Sequence, residues 1–294
     1  MKSLVKNIIT VLLGLILVSC QKENPKIIEV LRLAGENRPE LEKALNHYIL
    51  PKDSLKKKAA RFLIENMSNK FTLHGRGLDN YNTFLDSLAI INNAPDKSLY
   101  YWINLERKVI KSEELWNIIK KNKGSVSTGL FPVYDAQIIK ADYLIENIEY
   151  AFKAWDLPWA RHLSFDQFCE YILPYRVRNE SLVTWRKKIF ENADFSKFEG
   201  MDDPVEVCKV INKELSKNFY FNELFYQYPR ALNYFEINNI KSGSCREQSN
   251  LAQFVMRALG VPVTNDFIYK WADNPSGHDM NAVLDKKGSF LFFP

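Results

Sequence analysis

Cys245 is the residue whose type and position in this sequence most clearly predict chemistry. It follows Ser244, which is suited to cap a helix, and Glu247 would complete a capping box with that serine. An apolar stripe follows, and Gly260 and Pro262 then mark the end of the helix. Cys245 is therefore predicted to be the first helical residue, where backbone N–H groups and the helix dipole favour a thiolate. Such a cysteine is a candidate nucleophile, although most free cysteines are small buried hydrophobic residues.

His278 is the second group that a cysteine nucleophile needs. It lies about 33 residues after Cys245, between a turn-rich segment, 270–277, and a short apolar stretch, 280–284. The preceding run, 261–269, reads as a strand. A histidine at a strand start can take the thiol proton and later return one to a leaving group. The alternative is a structural histidine, which is the commoner role.

Two blocks around these residues resemble the core of the transglutaminase-like superfamily. They are residues 243–263 (GSCREQSNLAQFVMRALGVPV) and 277–283 (GHDMNAV). The resemblance covers roughly the last 90 residues. It implies a papain-like arrangement in which Cys245 is the nucleophile and His278 is the base.

The resemblance also suggests which residues would surround the substrate. Trp271 would line the substrate site, although a buried aromatic residue is equally natural there, and Tyr234 is a further candidate. The backbone N–H of Cys245 would form part of an oxyanion hole. The second donor is unassigned, with Tyr234 and Asn238 in range.

Family members orient the histidine with an Asp or Asn on the next strand. If residues 285–288 form a four-residue hairpin loop, Leu284 pairs with Ser289. Counting outward then places the partner of His278 one position after Pro294. The apolar ending of the sequence favours a truncated core.

Two nearby acids are poor substitutes for that partner. Asp285 would lie about 23 Å from His278 along the strand, and Asp279 would point to the other face of the sheet. We therefore expect the third acid to be absent, to lie elsewhere in the sequence, or to have been lost by truncation.

The amino terminus predicts export and a lipid anchor. Lys2 and Lys6 precede an apolar run, 8–18, which is shorter than the roughly 20 residues of a membrane span. The residues before Cys20 resemble a bacterial lipobox, which implies a signal peptide over 1–19 and acyl chains, palmitate among them, on Cys20. Several chains on one residue anchor a protein stably to a membrane. The lack of an aspartate after Cys20 favours the outer membrane of the cell envelope, and the acidic residue nearby resembles surface-export signals. An ordinary secretory signal is the alternative.

Composition is that of a folded, exported protein. Of 294 residues, 46% are hydrophobic and 26% are charged, which is enough for a large core. The net charge of +5 is spread along the sequence, so we expect no nucleic-acid partner. With Cys20 lipidated, one thiol stays free even if Cys169 and Cys208 pair. Zinc-ligand spacings are missing, and we expect neither a metal nor a cofactor.

The region before the predicted core reads as mainly helical. Apolar residues recur at helical spacing in four segments, 40–49, 54–66, 96–122 and 137–155. A further helix begins near Pro204. We predict an α+β fold with a helical domain over 20–199 and an incomplete transglutaminase-like, papain-like core over 200–294.

A charged and aromatic cluster follows Pro174 within residues 165–186, a stretch that also resembles the region preceding this core in some long bacterial members. Its members are Tyr175, Arg176, Arg178 and Glu180. The cluster could line a substrate groove or dock the helical domain onto the core.

The expected function is attack on amide bonds of a protein or peptide through a cysteine thioester. Water as acceptor would make a hydrolase or peptidase, and an amine would make an acyltransferase. The alternative is a catalytically inactive surface lipoprotein that binds glycan or peptide.

Overall fold

The structure of the protein is a computed structural model that describes residues 23–95, 101–217, 219–270 and 277–293. Two residues singled out from the sequence, Cys20 and Trp271, lie outside these ranges, so their expected roles remain predictions.

The fold is α+β, which confirms the predicted class. The helices before residue 200 are α1 (Pro25–Leu33), α2 (Arg38–Leu45), α3 (Ser54–Glu65), α4 (Arg76–Asn93), α5 (Tyr101–Lys123), α6 (Asp135–Ile138), α7 (Ala141–Trp155), α8 (Phe165–Tyr171) and α9 (Trp185–Glu191). The later helices are α10 (Pro204–Ser216), α11 (Tyr234–Ile240) and α12 (Cys245–Ala258). Short 3-10 helices cover Gly35–Asn37, Pro51–Asp53, Phe195–Phe198 and Glu223–Gln227.

The strands form three small sheets in the described residues. The antiparallel pair β1 (Phe71–His74) and β2 (Phe131–Tyr134) lies in the helical region. The parallel pair β3 (Tyr220–Phe221) and β4 (Ser242–Gly243) precedes α12. Strands β5 (Val263–Ile268), β6 (His278–Leu284) and β7 (Phe290–Phe293) form an antiparallel sheet in the order β5-β6-β7.

The stripe predicted as one helix over 137–155 is interrupted. Ile139 and Lys140 are extended between α6 and α7. Asn37 Nδ2 donates to the carbonyl of Ile139 at 2.8 Å, and Glu40 Oε2 accepts from the N–H of Ala141 at 2.8 Å. These long-range partners satisfy the backbone groups that the break leaves open.

Contacts cross the predicted domain boundary at residue 199. Trp159 Nε1 donates to the carbonyl of Leu259 at 2.7 Å, and Arg186 Nη1 donates to that of Arg257 at 2.9 Å. The buried hydrophobic side chains on both sides of the boundary belong to one cluster. The helical region and α12 therefore share a core.

The cluster after Pro174 contacts the core through Arg257 of α12, whose Nη1 donates to the carbonyl of Arg176 at 3.1 Å, and it is held together within the helical region. Asp135, at the start of α6, accepts from Arg176 Nε at 2.7 Å and from Tyr175 Oη at 2.9 Å. Glu180 accepts from the backbone N–H groups of Val177 at 2.8 Å and of Arg178 at 2.7 Å. Tyr175 and Arg176 also line a cavity of about 200 Å³, together with residues of α3 and α8.

The predicted hairpin register is wrong by one residue. Leu284 pairs with Phe290, so the loop has five residues rather than four. The side chain of Asp285 accepts from the N–H groups of Lys287 and Ser289, both at 2.8 Å, and this turn takes up the extra residue. If the observed pairing continued to His278, the residue opposite the histidine would be two positions after Pro294. The predicted pairing placed that residue one position after Pro294.

Candidate active site at the start of α12

Cys245 is the first residue of α12 and is buried. The capping box predicted from the sequence is present. Glu247 Oε2 accepts from the backbone N–H of Ser244 at 3.1 Å and from its hydroxyl at 2.7 Å. The helix ends at Ala258, and Gly260 follows with a positive φ of 73°, as its position in the sequence predicts. Cys245 therefore stands in the first helical turn, at the positive end of the helix dipole.

An open cavity of about 240 Å³ adjoins this sulfur. Its described lining residues are Tyr226, Cys245, Arg246, Phe267, Gly277 and Asp279. Tyr226 Oη lies 3.6 Å from Cys245 Sγ, within the range of a sulfur hydrogen bond. Burial and the hydrogen bond to Cys245 raise the pKa of Tyr226, so its hydroxyl keeps its proton at neutral pH.

Arg246 fixes the segment that carries Tyr226. Its Nη2 donates to the carbonyl oxygens of Phe225 at 2.9 Å and Tyr228 at 3.0 Å, and its Nε donates to Glu247 at 2.7 Å. Arg246, the residue after Cys245, thus binds both ends of the turn 225–228, which carries Tyr226.

Asp279 also lines the cavity and belongs to a polar network centred on Arg178. Arg178 Nη2 pairs with the Asp279 carboxylate and donates to Asn265 Oδ1 at 2.7 Å, while its Nε donates to Asn250 Oδ1 at 3.1 Å. Arg178 therefore joins the loop after α8 to β5, β6 and α12.

The side chain of His278 lies on the face of β6 opposite to that of Asp279. Asn281 Nδ2 donates to the carbonyl of Ser249 in α12 at 3.0 Å, so Asn281 and Asp279 face that helix. Since side chains alternate along a strand, the half-buried side chain of His278 points to the opposite face. Its neighbour Gly277 lines the cavity. The structure thus brings Asp279 to the Cys245 cavity, while His278 is the first residue of β6 and follows the cavity-lining Gly277.

Tyr234 lies away from this cavity. It is the first residue of α11 and packs against Phe254 of α12, with ring centroids 6.3 Å apart. Burial raises the pKa of Tyr234. Asn238, the other residue considered as an oxyanion donor, is exposed on the same helix. Sequence reasoning missed Tyr226, whose one signal is its place in an aromatic stretch, 219–228, shortly before the cysteine.

The other described cysteines, Cys169 and Cys208, belong to the buried core. Cys169 and Cys208 are buried and unpaired, so the disulfide considered from the sequence is not formed. Burial raises the pKa of each thiol to about 12, which keeps both protonated.

Two kinds of feature are absent from the described residues. No group of His, Cys, Asp and Glu there has the geometry to hold a metal ion. None of the described helices is both long and apolar enough to cross a bilayer.

No model of a protein family, no curated protein and no solved structure matches this chain.

Proposed function

We propose that the protein is a cysteine-dependent enzyme that acts on amide bonds of a protein or peptide, with a papain-like core. The observation that supports this most is the position of Cys245: it is the first residue of α12, adjoins an open cavity, and has a tyrosine hydroxyl 3.6 Å from its sulfur. A thiol at a helix start is the common way to make a nucleophilic cysteine.

The chemistry begins with transfer of the Cys245 proton to His278. The thiolate attacks the amide carbonyl carbon, a C–S bond forms, and the carbonyl π electrons move to oxygen. When the tetrahedral intermediate collapses, the C–N bond breaks and the imidazolium gives its proton to the departing amine. Water or a second amine, deprotonated by His278, then attacks the thioester and releases Cys245.

His278 remains the proposed base because Gly277, directly before it, lines the cavity. Alternation along β6 places its side chain on the face away from Asp279, so proton transfer requires the imidazole to rotate toward the sulfur. Active-site hydrogen bonds often tighten only when substrate is bound.

Alkylation by iodoacetamide tests the proposal without a known substrate. We expect Cys245 at pH 7 to react at least tenfold faster than N-acetylcysteine in the same tube, and His278→Asn to remove most of that advantage. His74→Asn, which replaces an exposed histidine on β1, is the matched control and should react as the wild type does. A rate for Cys245 equal to that of N-acetylcysteine would argue against an activated thiol.

A specific observation also supports the second candidate function, binding of glycan or peptide without catalysis. The cavity joins two half-exposed aromatic rings, Tyr226 and Phe267, to the carboxylate of Asp279. Rings and a carboxylate are typical of a recognition site. Saturable thermal stabilisation by casein-derived peptides or oligosaccharides, lost in Phe267→Ala and kept in Cys245→Ala, would favour this function.

We also propose that acyl chains on Cys20 anchor the protein to the cell envelope, on the outer membrane. The support is the sequence pattern before that cysteine. Labelled palmitate should enter the wild-type protein during expression in a bacterium and should not enter Cys20→Ser. Equal labelling of the two proteins would contradict the anchor.

A further inference from the structure

We propose that Tyr226 is a catalytic hydrogen-bond donor, which stabilises first the thiolate of Cys245 and then the oxyanion that forms beside it. This inference rests on the proposed function, because it assigns a role in the same reaction.

The geometry around the sulfur supports this role. Tyr226 Oη lies 3.6 Å from Cys245 Sγ, and both residues line the same cavity. Once the thiol has lost its proton, only the tyrosine can be the donor in this contact. A hydroxyl at this distance from the sulfur also lies near the place where the carbonyl oxygen of a bound amide becomes negative, because that oxygen is attached to the carbon under attack. There it would be the second donor, beside the backbone N–H of Cys245.

The tyrosine is held in place from two sides. Arg246 donates to the carbonyl oxygens of Phe225 and Tyr228, which flank it. On the other side, the N–H of Asn222 donates to the carbonyl of Gly243 at 2.9 Å, which continues the β3–β4 pairing up to the 3-10 helix. Arg246 and Gly243 both lie within two residues of Cys245. The backbone that carries the nucleophile therefore also fixes the donor, and Arg246 is a positioning residue.

Two features indicate that the contact is not simple core packing. The tyrosine is 52% exposed, so about half of its surface stays open to solvent. Its ring meets Phe221 at a centroid distance of 6.2 Å, while its hydroxyl is directed to the sulfur. Because the ring of Tyr226 is partly exposed while its hydroxyl faces the buried Cys245 thiol, a substrate can still approach the two groups.

The test is the rate of Cys245 alkylation by iodoacetamide at pH 7 in Tyr226→Phe, which removes only the hydroxyl. We expect the rate to fall about tenfold, because a hydrogen bond to a charged group is worth more than one to a neutral group. Tyr134→Phe, which removes an exposed hydroxyl on β2, is the matched control and should react as the wild type does.

The alternatives give different results. If the tyrosine only covers the sulfur, Tyr226→Phe will react as fast as the wild type or faster, and the inference is overturned while the proposed function stands. If wild-type Cys245 reacts no faster than N-acetylcysteine, the proposed function itself fails.

The positioning role of Arg246 has its own readout. Arg246→Lys keeps the positive charge and loses the two-carbonyl contact, so it should slow alkylation when Tyr226 is present and have no further effect in Tyr226→Phe. Rate losses that multiply in the double variant would show that Arg246 acts on the sulfur independently, which contradicts positioning through Tyr226.

Discussion

Replacing Asp135 by Asn should destabilise the protein strongly, because this carboxylate compensates a buried guanidinium. The side chain of Asp135 is 0% exposed and that of Arg176 is 3% exposed. Asp135 accepts two hydrogen bonds from Arg176 and one from Tyr175. Asparagine keeps the shape, but it removes the charge and turns an N–H group toward one of these donors.

The magnitude follows from what remains around Arg176. Removing one partner of a buried ion pair costs about 3–5 kcal/mol. The Glu180 carboxylate stays 3.9 Å from Arg176 Nη1, so part of the charge is still compensated. We therefore expect a loss of about 3 kcal/mol in the free energy of unfolding. With an m value of about 3 kcal/mol per M, the urea midpoint falls by about 1 M.

The assay is urea unfolding followed by circular dichroism, with Asp142→Asn as the matched control. Asp142 also lies in the first turn of a helix and pairs with Lys43 at 2.9 Å, but its side chain is 83% exposed. Its replacement should leave the midpoint unchanged. The double variant Asp135→Asn with Arg176→Met should recover part of the loss, since no charge is then left buried. Equal midpoints for the two single variants would refute the reasoning.

Three further predictions concern the core and the site. Because burial raises the pKa of Cys169 and Cys208 to about 12, both thiols should stay unlabelled by iodoacetamide at pH 7.5 and become labelled in urea, as peptide mass spectrometry would show; labelling of either of these two cysteines in the native protein would contradict their burial. Gly260→Ala should cost more than about 2 kcal/mol by urea unfolding, since φ is +73° and the new Cβ would lie 2.3 Å from a carbonyl oxygen of α7; an unchanged midpoint would contradict this. Arg178→Met should lower stability by about 1–3 kcal/mol, because it leaves the nearly buried Asp279 unpaired, and Arg178→Met with Asp279→Asn should recover part of that loss.

The start and end of α12 could be predicted from the sequence because their signals are local. Ser244, Glu247 and Gly260 act within a few residues of the helix ends that they define. The strand that begins at His278 and the helix that begins at Pro204 were also predicted at the observed positions. Capping and turn preferences depend on neighbours along the chain, so they can be read before the fold is known.

The remaining features depend on residues far apart in sequence. Asn37 is about 100 positions from the carbonyl at Ile139 that it binds, so the break between α6 and α7 has no local signal. Tyr226 lies beside Cys245 because β3 pairs with β4 over two residues each and because Arg246 binds the turn that carries Tyr226. The register of the β6–β7 hairpin depends on the side chain of Asp285, which accepts from the N–H of Ser289 and lengthens the connecting loop by one residue.

Formation of an acyl-enzyme on Cys245 tests the central claim most directly. The measurement is stopped-flow release of p-nitrophenolate from p-nitrophenyl acetate at pH 7, followed by peptide mass spectrometry of the quenched protein. We expect a burst of one equivalent of p-nitrophenolate with the acetyl group on Cys245, and no burst in Cys245→Ala. A slow linear release that is the same in both proteins, with acetyl groups spread over lysines, would contradict it.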